Sequence, residues 1–331
     1  MSIGNKITNS RVLITGGAGF IGSNLCEALI DQQNEIVCLD NFSTGKRENI
    51  EDILKKPNFR LIDGDIRNLD TCKEACDGID IVLHQAALGS IPRSIDDPIT
   101  TNEVNISGFL NMLVASKDNK VKRFVYASSS STYGDHPDLP KVEDTIGTPL
   151  SPYAVTKYVN ELYGRVFAEL YGLETIGLRY FNVFGPRQDS NGVYAAAIPR
   201  FVNTLINHES PKIFGDGTQS RDFTYIENVV QINQLAATTT NQEAFNGIYN
   251  VALGESTTVN DLFTSIRDLL SGYDSEIGKI EAEHVEKRPG EVKHSLASID
   301  KAKQFLGYSP SYGFSEGMAK AIPWYWAILN K

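Results

Sequence analysis

A short apolar run, Val12 to Thr15, leads into Gly16-Gly17-Ala18-Gly19-Phe20-Ile21-Gly22, after which the pattern turns helical. Glycines at 16, 19 and 22 suit a strand–turn–helix in three ways: they permit the tight turn, let backbone approach a pyrophosphate, and bring helix close to strand. The helix N-terminus that follows offers unpaired N–H groups and the positive end of a dipole to an anion. A glycine triplet alone also suits an ordinary turn. Asp40 narrows the choice. It ends the next β-rich run, 18 residues beyond Gly22, where a carboxylate accepts ribose hydroxyls and repels a 2′-phosphate. Asn41 and Phe42 follow, with no arginine beside them, which favours NAD over NADP. Asp65, in Gly64-Asp65-Ile66, falls where an adenine edge would lie, or at a plain strand-end turn.

The rest of the N-terminal half keeps this rhythm. Val12–Thr15, Glu35–Leu39, Phe59–Ile62, Ile81–His84, Phe124–Ala127 and Thr175–Leu178 read as strands, apolar without alternation, as for strands covered on both faces. Helices are predicted over Ile21–Gln32, Thr71–Ala75, Val104–Lys117 and Ala154–Leu170. Such alternation means an α/β, Rossmann-type, doubly wound parallel sheet. Near Gly185 glycine and proline cluster and the rhythm loosens. An NAD-binding domain over 1–185 is therefore expected, with a smaller C-terminal substrate-binding lobe over 186–331 that is free to interleave with it.

The 331 residues carry 31 Lys and Arg against 41 Asp and Glu, a net charge of −10. That argues against nucleic acid, which is held by neutralising phosphates. No run approaches the ~20 apolar residues of a membrane span, and Met1 to Arg11 has no apolar segment of a signal peptide. Four scattered cysteines are too few for a disulfide framework, and Cys72 and Cys76 suit packing on one helix face. A cytoplasmic location is expected. No cluster has metal-ligand spacing, so no metal is expected, and His84 reads as a core residue.

The chemistry lies in Tyr153 and Lys157, four apart on one helix face, with Ser128 to Ser131 ending a strand upstream. A free phenol near pKa 10 is a poor base. A lysine cation and a nicotinamide's positive charge both favour the phenolate, and a serine hydroxyl would orient the substrate oxygen.

With these motifs the chain resembles the extended short-chain dehydrogenase/reductase family and, within it, the nucleotide-sugar C4-epimerases. The nearest likeness is to those acting on UDP-N-acetylglucosamine in bacterial polysaccharide pathways. It covers nearly the whole chain, most specifically in Ala87-Leu88-Gly89-Ser90-Ile91-Pro92-Arg93-Ser94, Tyr133-Gly134-Asp135-His136-Pro137, Ser151-Pro152-Tyr153-Ala154-Val155-Thr156-Lys157 and Arg221-Asp222. The resemblance implies reversible C4 epimerisation of a UDP-sugar through a 4-keto intermediate. Tyr153 would be the base at O4, Lys157 would hold the nicotinamide ribose, and Ser129 with Ser130 would bond O4. The cofactor set would be Gly16, Gly19, Phe20, Ile21, Gly22, Asp40, Asn41, Asp65, Ile66, Gln85, Ala86, Ala87, Asn105 and Phe181, with Tyr153 and Lys157.

Asn182, Arg221 and Arg288 would hold the substrate diphosphate, arginine being able to clamp it bidentately. Glu291 would take a ribose hydroxyl where the family usually has Asp. Gly89, Ser90, Gln188 and Ser295 would line the sugar pocket, with Ser131 and Ala196 as small walls. In galactose-only members a Tyr crowds the place of Ser295, so serine leaves room for an acetamido group. A homodimer is implied, through the helices 104–117 and 154–170. A 4,6-dehydratase would need carboxylates where Ser130 and Ser131 stand. A decarboxylase would need a basic group such as Arg93 or Arg187, and a non-catalytic NAD-sensing protein typically lacks the Tyr or the Lys.

Overall fold

Alternate residues of β1 (Arg11–Thr15) serve two different cores: Val12 and Ile14 lie in one, Leu13 in the other. This is the period of two of a strand covered on both faces. A computed structural model of the chain describes residues 6–189, 196–287 and 293–330. Among them, β1 is joined by β2 (Glu35–Asp40), β3 (Phe59–Asp63), β4 (Ile81–His84), β5 (Arg123–Ser129), β6 (Glu174–Tyr180) and β7 (Ile248–Val251). The seven form one parallel sheet in the order β7-β6-β5-β4-β1-β2-β3. The strand order reverses beside β1, and in such sheets ligands bind in the crevice outside the carboxyl ends at that point.

One face is covered by α1 (Phe20–Ile30), the other by α2 (Leu69–Ala75) and, after the short helices α3 (Ile91–Asp96) and α4 (Pro98–Asn102), by α5 (Phe109–Asp118) and α6 (Pro152–Tyr171). All six expected strands are present, each within two residues of its expected ends. The helix expected over Val104–Lys117 differs in its first turns. Glu103–Gly108 is π-helical and only then continues as α5, the kind of local widening that re-aims side chains. α6 has sharp ends for legible reasons. Ser151 caps it by accepting from the Ala154 amide at 3.2 Å, Pro152 opens its first turn, and Gly172 closes it at φ 70°.

The C-terminal half contributes α7 (Ala197–Ile206), α8 (Ile226–Thr238), α9 (Val259–Ser271), α10 (Asp300–Leu306) and α11 (Phe314–Leu329). α7, α9 and α11 pack on one another, whereas α8 packs on α1 and β7 extends the sheet beside β6. The central sheet thus takes in chain from beyond residue 186. Asp222, wholly buried, fastens the lobe: its carboxylate accepts from the amides of Leu253, Gly254 and Ala297 at 2.9, 3.0 and 3.3 Å.

Candidate active site

A cavity of about 350 Å³ opens at the carboxyl ends of β1, β2, β4 and β5. Its floor is the glycine turn, with Gly16, Gly19, Phe20, Ile21 and Gly22 all lining it. Gly16 sits at φ +67°, where an added Cβ would lie 2.8 Å from the Ala86 amide nitrogen. A Cβ on Gly22 would lie 2.1 Å from the Gly16 carbonyl oxygen, so helix and turn meet backbone to backbone. No side chain caps the first turn of α1, and its N–H groups remain available to an anion.

Asp40 lines the cavity from the end of β2. Its carboxylate accepts from the amides of Ala18 and Phe42 at 2.9 and 2.8 Å. Burial raises its pKa, with these amide bonds pulling the other way. Arg47 is turned to Asp63 at 3.2 Å and to the ring of Phe42. A bare glycine floor over a helix N-terminus, with a carboxylate at the second strand's end, fits a dinucleotide with free ribose hydroxyls. Asn41, Asp65, Ile66, Gln85, Ala86 and Ala87 line the same cavity. Asp65 is held by Arg67 at 2.7 Å and by the Asn41 side chain at 2.8 Å, which draw its pKa down to about 2.

Two residues expected at the cofactor lie elsewhere. Phe181 is wholly buried against Tyr133, and Tyr180, one position earlier, lines the cavity instead. Successive strand side chains take opposite faces, so a shift of one residue exchanges wall for core. Asn105, on the π turn, is buried. It accepts from the Leu88 amide at 2.8 Å and donates to the Leu88 carbonyl and the Thr156 hydroxyl, both at 3.1 Å. It braces the loop after β4 against α6, and Val104 lines the cavity in its place.

Tyr153 and Lys157 reach the cavity from α6, facing Ser129 at the end of β5. Lys157 donates to the Ala127 carbonyl at 2.9 Å, and its ammonium lies 5.9 Å from the centre of the Tyr153 ring. Burial lowers the Lys157 pKa to about 8, with Glu161 pulling back upward. Burial also raises the pKa of the Tyr153 phenol, opposed by the neighbouring Ser129 hydroxyl. His84 is buried among Phe109 and Phe124, with Nδ1 2.8 Å from the Thr15 hydroxyl. Its pKa falls to about 3, through burial and then the charge of Lys157, so it stays neutral.

Of the serines, Ser128 and Ser129 line the cavity, and Ser130 does not. Ser130 and Ser131 lie on a 3₁₀ turn, where the Ser131 amide and hydroxyl bond the Ser129 hydroxyl at 3.2 and 3.0 Å. Gly89 and Asn182 also line the cavity, while Ser90 caps α3 from φ 119° by accepting from the Arg93 amide. Asn182 donates to the Asp222 carbonyl at 2.9 Å. Gln188 is outside the cavity, donating to the Val183 carbonyl and accepting from the Tyr325 hydroxyl. Ala196 is exposed and immediately precedes α7.

Arg221 and Ser295 are neighbours in the lobe. The Ser295 amide donates to the Ser220 carbonyl at 3.0 Å, and the Arg221 guanidinium donates to the same carbonyl at 2.9 Å. A second cavity of about 180 Å³ is lined there by Phe214, Gly215, Asp216, Gln219, Lys287 and Lys293. Arg288 and Glu291 fall outside the described residues. Lys287 and Lys293 went unread in the sequence, where only their closeness to Arg288 could have flagged them. Leu88, Ser43 and Thr44 carry no signal beyond their place after strands.

Residues 12–252 match the NAD dependent epimerase/dehydratase family. The UDP-glucuronate 4-epimerase of Thermodesulfobacterium geofontis is 34% identical, the match covering 94% of this chain and 95% of that protein. The UDP-glucose 4-epimerase of Mycolicibacterium smegmatis is 32% identical over 95% of this chain and 98% of that one. The solved structure of a UDP-N-acetylglucosamine 4-epimerase from Methanobrevibacter ruminantium, in complex with UDP-N-acetylmuramic acid, superposes with a TM-score of 0.91 at 40% identity. That match covers 97% of this chain and all (100%) of the other. Sequence and backbone thus agree along almost the full length, and the chain belongs to the NAD dependent epimerase/dehydratase family, among the extended short-chain dehydrogenase/reductases, with NAD as its cofactor.

Proposed function

We propose that the chain is an NAD-dependent UDP-sugar 4-epimerase that interconverts UDP-N-acetylglucosamine and UDP-N-acetylgalactosamine in the cytoplasm, for polysaccharide precursors. The observation that carries this is the convergence of Tyr153, Lys157 and Ser129 on the glycine-floored cavity. NAD, when bound, supplies the two-electron acceptor and donor for C4 of the sugar. Tyr153 takes the O4 proton and later returns it. Ser129 orients O4 beside the phenol, and the Lys157 cation, fixed on Ala127, favours the phenolate.

Such a reaction needs a firm hold on the nucleotide and a loose one on the sugar, since the 4-keto sugar must present its other face. The lobe over 186–331 supplies the hold. Arg221, Lys287 and Lys293 stand by a cavity lined in part by Phe214, and in this reading Arg288 would join them on the diphosphate and Glu291 would take a ribose hydroxyl. On the sugar side, a Cβ on Gly89 would meet nothing within 4 Å, and Ser295 keeps a small side chain by Arg221. Both leave room for an acetamido group.

Rival chemistries find less support. No carboxylate occupies 130 or 131 for elimination across C5 and C6. Arg187 is turned to Glu27 at 2.7 Å, so it is poorly placed for a C6 carboxylate. A second copy of this chain is the expected partner. Val155, Leu162, Val166 and Leu170 form an exposed apolar stripe along α6, with Ile95 and Ile99 exposed beside it on α3 and α4. Light scattering on the purified protein tests the dimer. Turnover of UDP-N-acetylglucosamine without added cofactor tests the activity.

A further inference from the structure

Three positions of α6, four residues apart, meet three consecutive residues at the end of β5. Tyr153 faces Ser129 in the cavity, Lys157 donates to the Ala127 carbonyl, and Glu161 accepts from the Ser128 hydroxyl at 2.5 Å. The third rung has an anchor behind it in the sheet. Arg179 on β6 is the register partner of Ser128 and grips both oxygens of Glu161, at 2.8 and 2.7 Å. Its remaining nitrogen donates to the Glu143 carbonyl at 3.0 Å. Side chains 161 and 179 are 5% and 3% exposed. An ion pair buried this deeply is weak support for stability, which leaves its position to be explained.

We propose that Glu161 is a positioning residue for the reacting pair: held by Arg179, its carboxylate fixes the Ser128 end of β5 and sets a negative charge one helical turn from Lys157. Ser128 stands between the two atoms that matter, the Ala127 carbonyl and the Ser129 hydroxyl. Any swing of the strand end moves both. The charge acts on the same pair. Lys157 is buried, and Glu161, one turn further along the helix, is the charge that draws its pKa upward against that burial.

The other groups facing this cluster do not substitute for Glu161. From β4 His84 is neutral, and from β5 Tyr126 is a buried phenol held in its neutral form. From β6 Arg179 is a second cation, which would make the charge on Lys157 harder to keep. From the turn after β5 Tyr133 lies under the Arg179 guanidinium at 4.7 Å. Glu143 is engaged with the Asn250 amide at 2.8 Å.

The inference rests on the proposed epimerase reading only for the identity of the sugar. The test therefore starts with a readout that needs no sugar: NMR titration of Lys157 in the cofactor-bound enzyme labelled at lysine, its signal assigned by loss in Lys157→Met. Glu161→Gln is expected to lower the Lys157 titration by about one unit. The alkaline limb of kcat should move with it while KM holds. Should Glu161→Gln fail to fold because Arg179 is left alone, the inference is still tested by Ser128→Ala. Ser128→Ala keeps the charges and cuts only the rung. It is expected to lower kcat roughly tenfold, with the Lys157 titration in place.

A folded Glu161 variant whose Lys157 titrates as in the wild type would overturn the inference, as would full kcat in Ser128→Ala. If no UDP-sugar is turned over at all, the Lys157 titration still decides.

Discussion

The ammonium of Lys157 donates to the backbone carbonyl of Ala127 at 2.9 Å, tying the reacting end of α6 to the end of β5. A neutral carbonyl orients the cation without cancelling its charge, and burial disfavours the charged form. That makes Lys157 titrate near 8 rather than in the ordinary lysine range.

The first consequence is an alkaline limit. As pH rises through about 8, Lys157 loses its proton, and with it the charge that favours the Tyr153 phenolate. In a kcat–pH profile of the cofactor-bound enzyme, the rate should fall on the alkaline side with an apparent pKa near that value. A rate still climbing at pH 9 would separate Lys157 from the chemistry.

Tyr153→Phe removes the proton acceptor and leaves the ring that packs there. The expected loss in kcat is about a hundred- to ten-thousand-fold, with bound NAD and UDP affinity kept. Retention of most of the rate would move the base elsewhere.

The sugar wall can be filled on purpose. Ser295→Tyr is expected to cost N-acetylated sugars about 1–3 kcal/mol, or roughly five- to a hundredfold in kcat/KM, with UDP-glucose much less affected. Equal losses on both would remove Ser295 from the sugar pocket.

Asp222 links pH to stability. Burial raises its carboxyl to about 6, against an ordinary value near 4. Between those values the folded chain keeps a proton that the unfolded chain has released. This contribution is therefore fully present below about pH 4 and lost as pH rises through 6. Two units correspond to about 3 kcal/mol at most. In urea titrations from pH 4 to 6, Asp222→Asn should lack this decline relative to wild type, and an unchanged slope would contradict the assignment.

Much of this was legible in the residues. The strands of the nucleotide-binding half are buried on both faces, so they read as plain apolar runs, and the glycine turn follows the first of them. β7 escapes a sequence reading because its four residues include Asn250, a polar side chain unlike those of the other core strands. It is buried and bonded to Tyr133, Lys141 and Ser298, and no local pattern foretells such partners. The resemblance implies Phe181 at the nicotinamide, and nothing local in the sequence tells which of two adjacent aromatics, Tyr180 or Phe181, faces the cavity at a strand's end. The resemblance alone implies Asn105 at the cofactor, whereas a π turn aims it at Leu88 and Thr156. Ser128 was passed over for its neighbours, since its partner Glu161 lies 33 residues away.

The most direct measurement is an NMR time course of the purified protein with UDP-N-acetylglucosamine and no added cofactor. The anomeric signal of the N-acetylgalactosamine product should appear and settle into a stable mixture with the substrate, reached equally from either sugar. An unchanged spectrum, or a keto-deoxy or pentose product, would contradict C4 epimerisation of this sugar by Tyr153 and its bound NAD.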